Sequence, residues 1–137
     1  MIKKIGLHTL FIAVVFAATA FGTDRPKNIR WVDFKQGLAQ SKQTGNTLVI
    51  YFYSDTCPSC SEMEKKTWKD TRIIDLLNTR YTPIKVDVNS EKQIAGMYKV
   101  YYLPTTWFVK PDGQPLGNRV GYIPPDLLLK IFGHISK

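Results

Sequence analysis

The chain is poor in side chains that bind metals or form cross-links. Its 137 residues include two cysteines, Cys57 and Cys60, and two histidines, His8 and His134, and only His134 lies outside the first 20 residues. A structural zinc ion needs four ligands, so these residues supply only part of such a site. Attachment of a c-type haem needs histidine directly after the second cysteine, where this sequence has Ser61. We therefore expect neither a metal site nor a bound cofactor.

Basic clusters are also absent, although the formal net charge is +8. Lysine and arginine residues are spread singly or in pairs such as Lys65-Lys66, and no nucleic-acid-binding motif is present. The charge suggests acidic partners or surfaces, but a solvated basic surface explains it sufficiently, and we expect no nucleic-acid partner. Internal repeats, low-complexity tracts and interdomain linkers are absent as well, which indicates a single domain.

The N-terminal segment has the pattern of an export signal. The pair Lys3-Lys4 precedes an apolar run over residues 11–17, and Ala18-Thr19-Ala20 supplies the small residues that a signal peptidase reads. We predict a signal peptide over residues 1–20 and one domain over residues 21–137. The alternative is an uncleaved N-terminal membrane anchor, because the apolar stretch is close to spanning length. Export leads to an oxidising compartment, and the simple layout of the signal looks bacterial, so we expect the periplasm.

The two cysteines form a CxxC motif, Cys57-Pro58-Ser59-Cys60, directly after the most apolar strand-like run outside the leader, Thr47–Tyr53. Two thiols this close at the end of a buried strand are typical of a reversible redox pair. If a helix follows, Cys57 is its N-cap and Pro58 its first residue, a position that tolerates proline. The free N–H groups and the dipole of that helix then favour thiolate over thiol at Cys57.

Three other uses of the cysteines remain open. A static structural disulfide is one, although a bridge across so short a segment closes almost no loop and gains little from chain entropy. Half of a metal site is the second. A Cys-His hydrolase is the third, but it would have to recruit His134 near the C-terminus without any local signature. The redox pair is favoured over all three.

Helical and strand-like patterns alternate along the chain, which predicts an α/β domain. In the first half of the chain, the patterns predict three helices and one strand. The first helix has Trp31, Phe34 and Leu38 on its inner face and ends at Gly45, and the strand Thr47–Tyr53 follows it. Next come a helix with Cys60, Met63 and Thr67 on its inner face and a helix capped by Asp70. The second half predicts three strands and two helices: the strand Pro83–Val88, a helix opened by a capping box from Ser90, the strands Thr105–Lys110 and Leu116–Gly121, and a last helix from Pro125. The last two strands are close enough to pair as an antiparallel hairpin.

The motif and its surroundings resemble the thioredoxin superfamily. The segment Cys57–Glu64 followed by Thr67–Asp70 is similar to an exported thioredoxin-like group that includes the C-terminal domain of the bacterial transmembrane disulfide reductase. Lys85-Val86-Asp87 and Leu103-Pro104-Thr105 fit the same group. The resemblance covers nearly all of residues 21–137 and implies a thioredoxin fold, in which helices flank a central mixed sheet with a C-terminal antiparallel hairpin.

The resemblance also implies roles for particular residues. Cys57 would attack a substrate disulfide as thiolate, and Cys60 would resolve the mixed disulfide. In the family, the proline of the downstream X-Pro-Thr segment is cis and lies against the CxxC motif. Carried over, Pro104 makes the turn and Leu103 offers its backbone to an extended substrate peptide. The pair Tyr101-Tyr102 would line the same groove, although aromatic residues before a strand are more often core.

The residues that tune the site differ from those of thioredoxins. Thioredoxins place a buried carboxylate six residues before the first cysteine, where it helps to move the proton during resolution, and here that residue is Tyr51. The lysine that accompanies the carboxylate on the neighbouring strand falls at Pro83. Asp55 is nearer in sequence, but we expect it to be solvated and to oppose thiolate formation. The linker residues Pro58 and Ser59 add no charge between the cysteines. We therefore expect resolution to depend on water or on the leaving thiolate.

Together these features predict a monomeric periplasmic thiol-disulfide oxidoreductase that reduces or exchanges the disulfides of exported proteins. Its partners would be protein disulfides or dithiols, together with a membrane or periplasmic redox protein that recharges the CxxC pair. The neutral linker favours a reductant or an exchange enzyme over a strong oxidant. Two alternatives remain: a dedicated redox carrier or chaperone for one partner, and a binding module that kept the fold and lost turnover.

Overall fold

The computed structural model describes residues 25–136, and the predicted signal peptide over residues 1–20 lies outside this range. Helices and strands alternate in the order α1 Phe34–Thr44, β1 Thr47–Tyr53, α2 Pro58–Lys65, a 3₁₀ turn Thr67–Lys69, α3 Thr71–Arg80, β2 Tyr81–Asp87, α4 Lys92–Met97, β3 Thr105–Val109, β4 Pro115–Val120 and α5 Pro125–Ile135. No helix in this described range is long and apolar enough to cross a membrane.

The strands form a mixed sheet in the order β2-β1-β3-β4. Strand β1 is parallel to β2 and antiparallel to β3, and β3 and β4 form an antiparallel hairpin. Beyond β2 the sheet is continued by an isolated parallel bridge between Val32 and Ile84. The arrangement confirms the predicted α/β class, the mixed sheet and the C-terminal hairpin.

Strand β1 lies at the centre of the core. Its residues Leu48–Phe52 are at most 1% exposed, as expected of a strand that is covered on both faces. Val49 and Tyr51 pack on one face with apolar side chains of α2, α3 and α5. Leu48 and Ile50 pack on the other face, where α1 and α4 supply the partners. Strand β1 therefore runs through the middle of the core, and the CxxC motif follows its C-terminal end.

Helix α1 has the predicted end but a later start. Gly45 ends it in the left-handed conformation at φ 75°, which glycine adopts at low cost. The Asp33 side chain begins it by accepting a hydrogen bond from the Gln36 N–H at 2.8 Å. The prediction that Trp31 lies on the inner face of this helix is wrong, because Trp31 precedes the cap. Its ring packs instead against Trp68, with centroids 5.2 Å apart.

The segment after the CxxC motif is divided by the 3₁₀ turn. Helix α2 ends at Lys65, so Thr67, predicted to share its inner face, lies in the turn instead. Thr67 is buried there, and its hydroxyl is satisfied by donating a hydrogen bond to the Ile123 carbonyl oxygen at 2.6 Å. Asp70 caps α3 as predicted, since its carboxylate accepts a hydrogen bond from the Arg72 N–H at 2.9 Å.

Helix α4 differs from the prediction at its start. Its N-cap is Glu91, which makes no side-chain cap hydrogen bond, so the capping box predicted from Ser90 does not form. The Ser90 hydroxyl donates to the Asp87 carbonyl oxygen at 3.3 Å, and the Asp87 carboxylate accepts from the Asn89 N–H at 2.9 Å. These hydrogen bonds belong to the turn that follows β2. The Ser90 hydroxyl is therefore bonded within this turn and does not cap α4.

The register between β1 and β2 bears directly on the site. Strand β2 begins at Tyr81, ahead of the predicted start at Pro83, and Pro83 pairs with Val49. The residue opposite Tyr51 is Lys85. The expectation that the lysine position of the neighbouring strand falls at Pro83 is therefore wrong, because the register places Lys85 opposite Tyr51 and Pro83 opposite Val49.

We expect Gly37 on α1 to tolerate no side chain. It is buried against β2, and a Cβ atom built on it would overlap the Cγ1 and Cδ1 atoms of Ile84. Replacement by alanine should lower the free energy of unfolding of the oxidised protein by about 1–2 kcal/mol, because overpacking costs about 1–3 kcal/mol and alanine recovers at most about 1 kcal/mol of helix propensity. Urea unfolding measures the difference.

Gly133 on α5 provides the matched control, because a Cβ atom there meets no atom within 4 Å apart from its chain neighbours and the backbone of its own helix. Gly133→Ala should raise the free energy of unfolding by about 0.5–1 kcal/mol, the usual gain when alanine replaces glycine inside a helix. A Gly37→Ala variant as stable as the wild type would contradict the close packing of α1 on β2.

Candidate functional site

The CxxC motif lies at the junction between β1 and α2. Cys57 is the N-cap of α2 and Pro58 its first helical residue, as predicted. The Cys57 sulfur accepts a hydrogen bond from the Cys60 N–H at 3.2 Å. The two cysteines form a disulfide, with Cα atoms 5.2 Å apart, which is within the usual range for such a bridge.

The two sulfur-bearing residues differ in their access to solvent. Cys60 is 2% exposed, on the inner side of the first turn of α2. Cys57 is half-buried, and the linker residues Pro58 and Ser59 are exposed. Because the second cysteine lies inside and the linker outside, an incoming molecule meets Cys57 first.

Tyr51 lies beneath the first turn of α2. Its hydroxyl donates a hydrogen bond to the Cys60 carbonyl oxygen at 3.3 Å, and its ring packs edge-on against Trp68 at a centroid distance of 5.1 Å. Burial, with a smaller contribution from the Glu64 carboxylate, raises the pKa of Tyr51 far above its usual range. The position that holds a buried carboxylate in thioredoxins is therefore held here by a neutral phenol.

A cleft of about 210 Å³ opens beside Cys60 and is lined by charged side chains. Glu64 reaches it from α2 and Lys85 from β2, and the Lys85 Nζ lies 2.7 Å from the Glu64 Oε1. The same ammonium stands over the Tyr53 ring, 4.3 Å from its centroid. Asp55 lies at the same cleft and is exposed, as expected of a loop aspartate. The cleft thus places an ion pair beside the buried cysteine.

Sequence reasoning did not identify Glu64 or Lys85 as site residues. The spacing between Cys60 and Glu64 puts both on one face of α2, so a signal for Glu64 was present in the sequence. The signal for Lys85 was hidden, because only the register of β2 against β1 brings it opposite Tyr51.

Tyr53 is the second tyrosine beside the cleft, and it too is neutral. Burial raises the pKa of Tyr53 above its usual range, and the carboxylates of Asp87, Asp55, Glu64 and Glu91 add to the rise. A tyrosine hydroxyl with a raised pKa keeps its proton at neutral pH. Neither tyrosine at this site is therefore available as a base.

The Leu103–Pro104 peptide bond is cis, as the resemblance implied. Strand β3 starts directly after it, and Thr105 pairs with Phe52, near the end of β1 that leads to the CxxC motif. Leu103 and Pro104 therefore lie at the same edge of the sheet as Cys57. Pro104 is buried, and its carbonyl oxygen accepts a hydrogen bond from the N–H of residue 121 at 2.7 Å.

The two tyrosines before this bond are surface residues. Tyr101 is 80% exposed and Tyr102 is 72% exposed, so neither belongs to the core. The Tyr102 carbonyl oxygen accepts a hydrogen bond from the Thr105 hydroxyl at 2.7 Å, which ties the backbone of the exposed segment to the start of β3. Large aromatic surface is therefore presented next to Leu103 and Pro104.

No group of three or more His, Cys, Asp or Glu side chains within residues 25–136 is arranged to hold a metal ion. The chemical groups that the described site brings together are the two sulfur atoms, the Tyr51 phenol beneath them and the ion pair of the cleft.

Comparison with known proteins places these features in a family context. A family model described as a thioredoxin-like domain matches residues 34–136. The chain is 36% identical over 92 residues to the thiol:disulfide interchange protein DsbD of Pseudoalteromonas atlantica, an alignment that covers 64% of this chain and 16% of that protein. It is 34% identical over 85 residues to the DsbD protein of Salmonella typhi, covering 60% of this chain and 15% of that one. The chain therefore spans less than a fifth of the length of these relatives.

Solved structures give the same fold. A thioredoxin from Thermus thermophilus is 27% identical, with a TM-score of 0.72 over 80% of this chain and 88% of that chain. The oxidised C-terminal domain of Neisseria meningitidis DsbD is 19% identical, with a TM-score of 0.65 over 73% of this chain and 90% of that chain. These matches confirm the thioredoxin fold that the sequence predicted.

Reduction of the disulfide should reveal two thiols of different reactivity. Cys57 should be alkylated by iodoacetamide first, and Cys60 at least about tenfold more slowly, because the accessible thiolate is the reactive form and Cys60 is buried. Peptide mapping by mass spectrometry after timed quenching measures both rates. In urea the two rates should converge, which controls for intrinsic reactivity. Equal labelling of both thiols in the folded protein would contradict the assignment.

Proposed function

Because this chain belongs to the thioredoxin-like domain family, we propose that it acts as a thiol-disulfide oxidoreductase on exported proteins. The observation that carries the proposal is the unequal CxxC pair. Cys57 is half-buried at the N-cap of α2, whereas Cys60 is 2% exposed one turn inside. Family membership and this pair together support disulfide exchange over a static bridge.

In the reductive direction, Cys57 attacks the substrate disulfide as thiolate. The N–H groups and dipole at the start of α2 stabilise negative charge on its sulfur, and the Cys60 N–H already points at that sulfur from 3.2 Å. The attack forms a mixed disulfide and releases one substrate thiolate. Cys60 then attacks the Cys57 sulfur, which closes the Cys57–Cys60 bond and releases the second substrate thiolate. The reverse sequence oxidises a dithiol.

We propose that a substrate peptide binds at the segment Leu103-Pro104, which lies directly before β3 at the end of the sheet that carries the CxxC motif. An extended peptide that reaches Cys57 would pass this segment, where the Leu103 backbone can pair with it in the manner of an added strand. The exposed rings of Tyr101 and Tyr102 would then contact side chains that flank the substrate cysteine.

We also propose a monomer in the periplasm, comprising residues 21–137 after removal of residues 1–20. The matched relatives are named thiol:disulfide interchange proteins, which supports disulfides or dithiols as substrates. For the partner that recharges the CxxC pair, we propose a membrane or periplasmic redox protein. The reductive or exchange direction is favoured because the linker Pro58-Ser59 carries no charge and Asp55 opposes thiolate formation.

A dedicated carrier for one redox partner is the second candidate. The observation in its favour is the exposed pair Tyr101-Tyr102, because aromatic side chains are enriched at protein interfaces. A carrier would exchange disulfides through the same two cysteines, but with few proteins.

Trapping with a Cys60→Ser variant tests the proposal and separates the two candidates. Expressed in a bacterium with its own N-terminal segment, the variant should accumulate mixed disulfides through Cys57, because no second thiol is present to resolve them. Non-reducing gels show the adducts, and mass spectrometry identifies the trapped proteins. Several exported proteins indicate a general enzyme, and one recurrent partner indicates a carrier.

The double variant Cys57→Ser, Cys60→Ser is the matched control and should trap nothing. Folded, exported Cys60→Ser protein that also traps nothing would overturn the proposed function and favour a non-catalytic binding module.

A further inference from the structure

The hydrogen bond from the Tyr51 hydroxyl to the first turn of α2 has no role in the exchange steps described above. Its acceptor is the carbonyl oxygen of Cys60, at 3.3 Å. The N–H of the same residue donates a hydrogen bond to the Cys57 sulfur, at 3.2 Å. We propose that Tyr51 is a positioning residue, whose hydroxyl fixes the backbone of Cys60 so that the Cys60 N–H stays aimed at the Cys57 sulfur. The inference rests on the proposed function, since it concerns the reactivity of Cys57 in that reaction.

Tyr51 can hold the helix because its own position is fixed. It is fully buried on β1, a strand that is paired with β2 on one side and with β3 on the other. Its ring packs against three aromatic rings, those of Trp31, Tyr53 and Trp68, with centroids 5.9, 5.7 and 5.1 Å away. A ring packed among others inside a close-packed core has little freedom to move, so its hydroxyl oxygen has one place beneath α2.

The Tyr51 bond attaches the first turn of α2 to the sheet. The Ser61 N–H donates to the Cys57 carbonyl oxygen at 3.1 Å, but this bond joins two residues of the same turn. Among the hydrogen bonds within residues 25–136, the one from Tyr51 joins residues 58–61 to a strand. Apolar packing is not directional, so without this bond the turn would be freer to shift relative to β1.

The alignment of the Cys60 N–H matters most when Cys57 is reduced. A hydrogen bond to an ionised acceptor is stronger than one to a neutral acceptor, and it favours the charged form. Such bonds weaken steeply as the N–H turns away from its acceptor. A small rotation of the turn would therefore destabilise the Cys57 thiolate and have less effect on the neutral thiol or the disulfide. Tyr51 thus acts on the attacking sulfur through the backbone of Cys60.

Replacement of Tyr51 by phenylalanine removes this hydrogen bond and changes no charge. Burial raises the pKa of Tyr51 far above its usual range, so the phenol is neutral at every pH at which a thiol titrates. The other titratable side chains around the motif act equally on both proteins: Tyr53 on β1, Asp55 on the loop before α2, Glu64 and Lys65 on α2, and Lys85 on β2. A difference in thiolate stability then reports the hydrogen bond.

Tyr81 provides the matched control. It is also buried on a strand, and its hydroxyl also donates to a helix carbonyl oxygen, that of Phe132 on α5 at 3.4 Å. Tyr81 pairs with Thr47 at the start of β1, whereas the CxxC motif follows the end of that strand. Tyr81→Phe therefore removes the same kind of bond at the opposite end of the sheet. Both variants should lose similar stability in urea unfolding, which also shows that each is folded.

The first test is the pH profile of alkylation. The rate at which iodoacetamide modifies reduced Cys57, measured by peptide mapping, reports the fraction of thiolate. On the acid side of the profile, Tyr51→Phe should lower this rate by about two- to tenfold, because part of a hydrogen bond to a charged group is lost. On the alkaline side, where the sulfur is fully ionised, the rates should agree within about twofold. Tyr81→Phe should follow the wild type at every pH.

Two further measurements separate positioning from a general loosening of the fold. In a glutathione redox buffer at about pH 8, Tyr51→Phe should raise the equilibrium constant for oxidation of the CxxC dithiol about two- to fivefold, because the reduced form loses thiolate stabilisation. In the oxidised protein, amide hydrogen exchange followed by NMR should be about three- to tenfold faster at the Cys60 N–H of this variant. Tyr81→Phe should change neither quantity.

Two results would overturn the inference while leaving the proposed function intact. One is an acid-side alkylation rate of Tyr51→Phe equal to or above that of the wild type, with stability lost as in Tyr81→Phe, which would make the hydroxyl a purely structural feature. The other is an equal displacement of the profile in both variants, which would indicate general destabilisation. A reduced wild type that forms no Cys57–Cys60 bond with glutathione disulfide would count against the proposed function instead.

Discussion

The position of the reactive sulfur depends on the pairing of β1 along both of its edges. The strand is hydrogen-bonded to β2 on one side and to β3 on the other, and Leu48–Phe52 are at most 1% exposed. A strand held in this way cannot slip by one residue without turning its apolar side chains to the wrong face. The point at which the chain leaves the sheet is therefore set by the core, and α2 starts from that point with Cys57 as its cap. The helix stabilises charge on a sulfur whose place the sheet has determined.

The same strand places an uncharged side chain beneath the CxxC motif. Tyr51 is fully buried, and its hydroxyl bonds to the Cys60 carbonyl oxygen, so the floor of the site is neutral and ties the first turn of α2 to the sheet. An unpaired carboxylate at this depth would carry a large desolvation cost. The ion pair of Glu64 and Lys85 lies to the side, half-buried, where solvent and the paired charge reduce that cost. The site thus combines a neutral floor with a charged side wall, and the two are supplied by different elements.

Local signals in the sequence predicted most of the fold and the reactive pair. An unbroken apolar run marked Thr47–Tyr53 with the bounds that the structure has, and one motif carried both Cys57 and Cys60. The errors arose where tertiary contacts override local pattern. Helical spacing assigned Trp31 to α1, but the chain pairs with β2 before the helix begins and the ring packs beneath the site. The contact between Glu64 and Lys85 joins a helix to a strand, and only the register of the sheet brings them together.

The central claim is that the Cys57–Cys60 pair turns over. The most direct measurement is the rate at which dithiothreitol reduces the disulfides of insulin, followed by turbidity, in the presence of substoichiometric amounts of this protein. The account predicts that the wild type accelerates the reaction through many cycles per molecule and that folded Cys57→Ser protein leaves it at the rate of dithiothreitol alone. A wild type that is itself reduced by dithiothreitol but gives no acceleration, or a Cys57→Ser variant that accelerates as well as the wild type, would contradict it.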